Sequence, residues 1–142
     1  MTFKEYLSAQ DASGSISPHL ALISASRSDR PELLNRIRHM ELSRDIEKIN
    51  GWQYVPIQGV SVESNEKTGM KMPVMEKSFL VMAGATTTTS FIEYVVQWLN
   101  KYEQEYAIIR FTNEDTAWKI LPSGNRFIYG SWEELVKPNL PL

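Results

Sequence analysis

The order in which apolar periodicity changes along the chain most constrains what it can fold into. "HLALISAS" (19–26) is a short apolar run behind a proline, the length and composition of an inner strand. "RSDRPE" breaks it. Leu34, Ile37, Leu42, Ile46 and Ile49 then recur near the helical period, predicting a helix that stops at Asn50-Gly51. Asp29 is placed to cap that helix, Glu32 three residues on completes a capping box, and Pro31 is tolerated in the first turn. "WQYVPIQGVSVE" (52–63) reads as a second strand bent near Pro56 or Gly59. A polar hairpin-like loop over 64–73 precedes a third strand over 74–84. Phe91, Val95, Trp98, Leu99 and Tyr102 give one apolar face to a second helix over 91–104, and "EYAIIRFT" (105–112) reads as a fourth strand.

This is a β-α-β-β-α-β order, the split βαβ pattern of ferredoxin-like domains, and it predicts an α+β fold. Beyond it, "TAWKIL" and "NRFIYG" flank "PSGN" as a C-terminal β-hairpin, followed by a helical turn at "SWEEL" and an irregular tail. Ahead of it, "TFKEYLSAQ" has the makings of a short helix and "DASGSISP" is small and polar. Residues 1–18 are therefore expected to be a flexible lead-in and 19–142 a single domain, a length sufficient for a substantial core.

Composition removes several kinds of chemistry. The chain has no cysteine, which excludes disulfides, thiolate metal sites and cysteine nucleophiles. Two histidines make a His-rich zinc site a poor expectation, so no metal is assigned. A net charge of −2 does not suit a protein dominated by phosphate contacts, so no nucleic-acid partner is expected. No apolar run approaches a membrane span and the first residues lack a signal-peptide core, so a cytoplasmic location without membrane attachment is the expectation. The dinucleotide, P-loop, metalloprotease and serine-hydrolase motifs are all missing.

Five groups of residues remain as candidates. "SASRSDRPE" (24–32) joins the first strand to a helix N-terminus, where free N–H groups, Arg27 and Arg30 suit a carboxylate or phosphate; a capped turn with solvated arginines explains the same residues. "NRIRHM" sets Arg36, Arg38 and His39 within one and a half helical turns, against the simpler reading of a solvated face. Glu76 stands at the entrance of the third strand, where a carboxylate is most often solvated. Gln104, in "KYEQEY", either contacts a ligand or caps a helix. Trp52, Tyr54, Trp98, Trp118, Phe127, Tyr129 and Trp132 are mostly core or interface, and one of them could offer its face to a purine.

In order and approximate spacing, "LISASRSD", "NRIRHM", "GVSVE", "EKSFLV" and "YEQEYAIIR" resemble the phage-encoded S-adenosylmethionine lyases, long called hydrolases, over residues from about 20 to 112. The resemblance implies a homotrimer of ferredoxin-like domains, related in architecture to PII signalling proteins, with the substrate between subunits. It implies cleavage of S-adenosylmethionine to 5′-methylthioadenosine and homoserine lactone, which depletes the methyl donor of host restriction–modification systems, in the host cytoplasm if phage-encoded. S-adenosylmethionine is then the substrate and no cofactor is expected. The family's key acid falls on Glu76. Ser24, Ala25, Ser26 and Arg27 are implied as contacts to the substrate's polar ends, with Ser78 and Gln104 beside them and Arg38 and His39 in support. One departure is visible: a family tyrosine falls on Ser61, leaving its role to Tyr54 or a neighbour. The alternatives are a non-enzymatic PII-like trimer that binds or sequesters an adenine nucleotide, and an inhibitor that acts on a host protein through its surface.

Overall fold

His19–Ile23 forms β1, whose side chains are almost all buried because both faces of the strand are covered. The computed structural model describes residues 18–64, 71–84 and 86–136. Along it follow α1 (Glu32–Glu47), β2 (Trp52–Ser64), β3 (Lys71–Ala83), α2 (Thr88–Lys101), β4 (Ala107–Arg110), β5 (Thr116–Ile120), β6 (Arg126–Ser131) and α3 (Trp132–Val136). The strands make one antiparallel sheet in the order β2-β3-β1-β4-β5-β6, so the fold is α+β. The C-terminal hairpin expected from "PSGN" is β5–β6, added outside β4. None of the described helices is long and apolar enough to cross a membrane.

Period-two alternation divides the core between the two faces of the sheet. Ala21, Ile23, Phe79, Val81 and Ile109 pack against Leu42 and Ile46 of α1 and Phe91, Val95 and Leu99 of α2. Leu20, Leu80, Met82 and Ile108 lie on the opposite face with Trp132 of α3. These two layers account for most of the favourable free energy, at about 25 cal/mol for each Å² of apolar surface removed from water.

Several boundaries differ from expectation, each for a local reason. β1 ends at Ile23 rather than 26. There the Ser24 hydroxyl takes the Lys77 carbonyl and the Ser26 amide turns back onto Ser24 Oγ, so the backbone leaves the ladder. α1 has Pro31 at its N-cap and no capping side chain, so the predicted Asp29–Glu32 box does not form; Asp29 is held by Arg27 instead. α1 stops at Glu47, and the turn to β2 passes through Gly51 at φ +84°. α2 starts earlier than predicted because Thr87 Oγ1 accepts from the Ser90 amide at 3.1 Å and caps it. β4 is confined to Ala107–Arg110, bounded by left-handed Glu103 (φ 55°) and Asn113 (φ 64°).

The difference that matters most for function lies in β2 and β3. Both run into the stretch expected to be loop, pairing from Trp52↔Ala83 out to Ser64↔Lys71. β1 covers β3 only over residues 79–83. The remainder of β3 pairs with β2 alone, and this two-stranded arm extends past the end of β1, on the side where the β1–α1 loop begins.

Candidate active site

The β1–α1 loop carries the polar residues singled out from sequence, and side chains from elsewhere in the chain tie it down. Ser24 Oγ donates to the Lys77 carbonyl of β3 at 2.7 Å, the residue after Glu76. Gln104 Nε2 donates to the Ser26 carbonyl at 3.2 Å and to that of Tyr102 at 3.1 Å. Arg30 donates to the Ala25 carbonyl at 3.1 Å and the Tyr102 carbonyl at 2.8 Å, with Glu103 Oε1 at 3.5 Å. Asn35, on the first turn of α1, accepts from the Arg27 amide at 2.9 Å and donates to the Arg27 carbonyl at 2.8 Å. Stretches far apart in sequence, "SASRSD", "MEKS" and "YEQE", thus meet at one end of the sheet.

Arg27 is held from two directions. Its Nε and Nη2 donate to the two carboxylate oxygens of Asp29 at 2.8 Å each, and Nη1 donates to the Glu103 carbonyl at 2.5 Å. The left-handed backbone at Glu103 turns that carbonyl toward the loop. The hydrogen bond to Asp29 raises the Arg27 pKa and lowers that of Asp29. A second network backs the loop from behind: Asp45 Oδ2 accepts from Lys101 at 2.8 Å and from the Tyr102 hydroxyl at 2.5 Å. Burial works against the Asp45 carboxylate, yet Lys101 and Tyr102 hold its pKa below the usual range. Burial, with Asp45 alongside, pushes the Tyr102 phenol far up, so it remains a donor at any physiological pH.

His39 lies on the helix face of the sheet, stacked on Phe79 with ring centroids 4.1 Å apart. Its Nδ1 is buried without a hydrogen-bond partner among the described residues. Burial lowers its pKa and nearby Lys77 adds to the effect, so the ring is neutral at pH 7. Arg38 pairs with Glu41 at 3.2 Å on the same helix. Tyr54, the candidate replacement for the family tyrosine, donates its hydroxyl to Glu47 and sets its ring edge-on to Phe79 at 5.1 Å.

The side chains of Glu76 and Ser61 lie outside the described residues, but their backbone register is defined. Glu76 pairs with Gly59, and Ser61 with Val74, within the β2–β3 arm. By alternation, Ser78 falls in the same set as Leu80 and Met82, on the sheet face away from α1 and α2. His39 is on the other face, against Phe79. One chain therefore gathers Ser24, Ala25, Ser26, Arg27 and Gln104 around the loop. It does not bring His39 to the same sheet face as Ser78.

Sequence reasoning missed Asn35 and gave Arg30 no role in holding the loop. The available signal was weak: Asn35 is a poor helix former in the first turn of a helix that lacks a side-chain cap. Chemically, the loop exposes no general-base dyad and no nucleophile–base pair. What it offers is a fixed arrangement of hydroxyl and guanidinium groups beside the strand that carries Glu76.

Residues 21–140 match the family model described as the S-Adenosylmethionine lyase family. No curated protein matches the chain.

Proposed function

We propose that this chain, which belongs to the S-adenosylmethionine lyase family and is a lyase acting on S-adenosylmethionine, cleaves its substrate to 5′-methylthioadenosine and L-homoserine lactone. The carboxylate of the substrate's methionine chain attacks its own Cγ. A C–O bond forms, the Cγ–S bond breaks, and its electron pair returns to sulfur as a neutral thioether. No proton is transferred in this step, no water is consumed and no cofactor is required. A site without an acid–base dyad therefore suits it.

Two effects remain for the protein to supply. Folding the methionine chain so that the carboxylate sits behind Cγ provides effective concentration, worth about 7–11 kcal/mol in well-oriented intramolecular reactions. Carboxylate and sulfonium also neutralise each other on the way to the transition state, which a water-poor site favours over bulk water. Glu76 is assigned to the substrate's α-ammonium or sulfonium group as a fixed counter-charge, not as a base, because the attacking group is already ionised. Ser26 and Arg27 are assigned to its carboxylate end, with Ser24, Ala25, Ser78 and Gln104 shaping the pocket and Ser61 opposite in the arm. Arg38 and His39 support the loop side.

The observation that carries this assignment is the 2.7 Å bond from Ser24 Oγ to the Lys77 carbonyl, which fixes the β1–α1 loop beside the residue following Glu76. The strand order β2-β3-β1-β4 supports a ferredoxin-like, PII-like domain over residues 19–142. Ser78 and His39 belong to opposite sheet faces, which fits a site shared between copies. The homotrimer itself rests on the family resemblance. Consumption of the methyl donor fits an anti-restriction role in the cytoplasm of a phage-infected host.

The test is incubation with S-adenosylmethionine, with products followed by chromatography and mass detection. Methylthioadenosine and homoserine lactone in equal amounts are expected. Intact ligand held at stoichiometric ratio would instead mean sequestration by a PII-like binder.

A further inference from the structure

Three consecutive carbonyls of the β1–α1 loop are captured by side chains of the same chain: Ala25 by Arg30, Ser26 by Gln104 and Arg27 by Asn35. The loop's backbone acceptors are thereby committed to the protein's own donors. The amides of Ser26 and Arg27 are also engaged, to Ser24 Oγ at 3.0 Å and Asn35 Oδ1 at 2.9 Å. What is left to meet a ligand is the Ser26 hydroxyl, which has no partner among the described residues, and the edge of Arg27. Such a surface suits an anionic group and not a cation, provided the backbone stays turned as it is.

Asn35 differs from the other two captors. The side chains of Arg30 and Gln104 only donate, each to one loop carbonyl, and the Arg30 amide also donates to the Arg27 carbonyl at 3.3 Å. Asn35 donates and accepts at a single residue, binding both the amide and the carbonyl of Arg27. Only a primary amide at this reach does both, because a carboxylate cannot donate and a hydroxyl is too short to span the N–H and C=O of one residue.

We propose that Asn35 is a positioning residue for the lyase reaction: it touches no substrate atom, and by clamping both backbone polar groups of Arg27 it aims the Ser26–Arg27 segment at the substrate carboxylate. This rests on the functional reading given above. Through misplacement of the carboxylate, Asn35→Ala is expected to raise KM and to lower kcat/KM by roughly tenfold to a hundredfold. Asn35→Asp keeps the acceptor for the Arg27 amide and is expected to recover part of the loss. Both variants are to be compared with the wild-type chain in S-adenosylmethionine cleavage per mole of folded protein. Amide hydrogen exchange at Arg27, read without substrate, is expected to be faster in Asn35→Ala. Three results would overturn the proposal: a kcat/KM within about twofold of wild type, a loss confined to the folded fraction with KM unchanged, or unchanged exchange at Arg27. If Asn35→Ala does not fold, Asn35→Ser carries the same readouts. A wild-type chain that leaves S-adenosylmethionine intact would defeat the functional reading, while the exchange measurement would still decide whether Asn35 clamps Arg27.

Discussion

His39 illustrates how a single residue carries two readings that only the fold separates. In sequence it sits in "NRIRHM" beside Arg36 and Arg38, where a site residue and a solvated helix face are the two readings. In the structure it is a neutral ring stacked on Phe79, its pKa lowered by burial and by Lys77. Because its folded pKa lies below the unfolded value of about 6.5, the unfolded chain binds more protons as the solution acidifies. Stability is therefore fully present above that value and falls as pH drops through the folded pKa. His39→Leu is expected to lose less stability than wild type between pH 7 and pH 5, measured by urea unfolding at each pH; His19, shifted the same way, retains its own share of the dependence. Ser24 makes a complementary case. Ser24→Ala removes the tie to Lys77 and should cost about 1–2 kcal/mol, with a loss of activity at temperatures where the variant is still folded. Glu76→Gln keeps the shape and removes the charge; turnover is expected to fall roughly hundredfold, and full turnover would remove Glu76 from the mechanism. By composition and periodicity Glu76 reads as a solvated charge. The resemblance promoted it, and the register Gly59↔Glu76 places it in the arm beside the loop.

At the scale of elements, the apolar periods were legible and the polar devices were not. Leu42 and Ile46, or Phe91, Val95 and Leu99, announce helix faces because burial dictates their spacing. The predicted cap at Asp29 failed because Arg27, two residues away, binds a carboxylate bidentately, and such charge-assisted pairs outcompete a single backbone amide. Only the outer end of the arm, Ser64 and Lys71–Pro73, falls in the stretch expected to be loop, because "SNEKTGMKMP" lacks strand formers; there the antiparallel pairing continues to Ser64↔Lys71. The turn at Asn50-Gly51 is where the sequence put it, and two glycines meet there. Gly51 has φ +84°, and its carbonyl lies 3.0 Å from where a Cβ on Gly84 would stand. Gly51→Ala is expected to destabilise by about 1–2 kcal/mol, and Gly84→Ala to destabilise through that clash, both read as a lowered midpoint in thermal unfolding.

At the scale of the molecule, the fold class followed from element order, and the family from motifs that the sheet gathers at one end. What the chain could not disclose is how two faces of one sheet serve one ligand, since pairing partners are set by topology and not by any local pattern. A site shared between copies resolves this, and a solution mass roughly three times the 16.3 kDa of the chain is expected. The central claim is that the substrate's own carboxylate displaces the thioether. It is tested most directly by turnover in heavy-oxygen water. The account predicts homoserine lactone as the first product, free of label, and any homoserine formed later labelled only in its carboxyl group. Homoserine appearing first with the heavy oxygen on its Cγ hydroxyl would contradict it, because water and not the carboxylate would then have attacked.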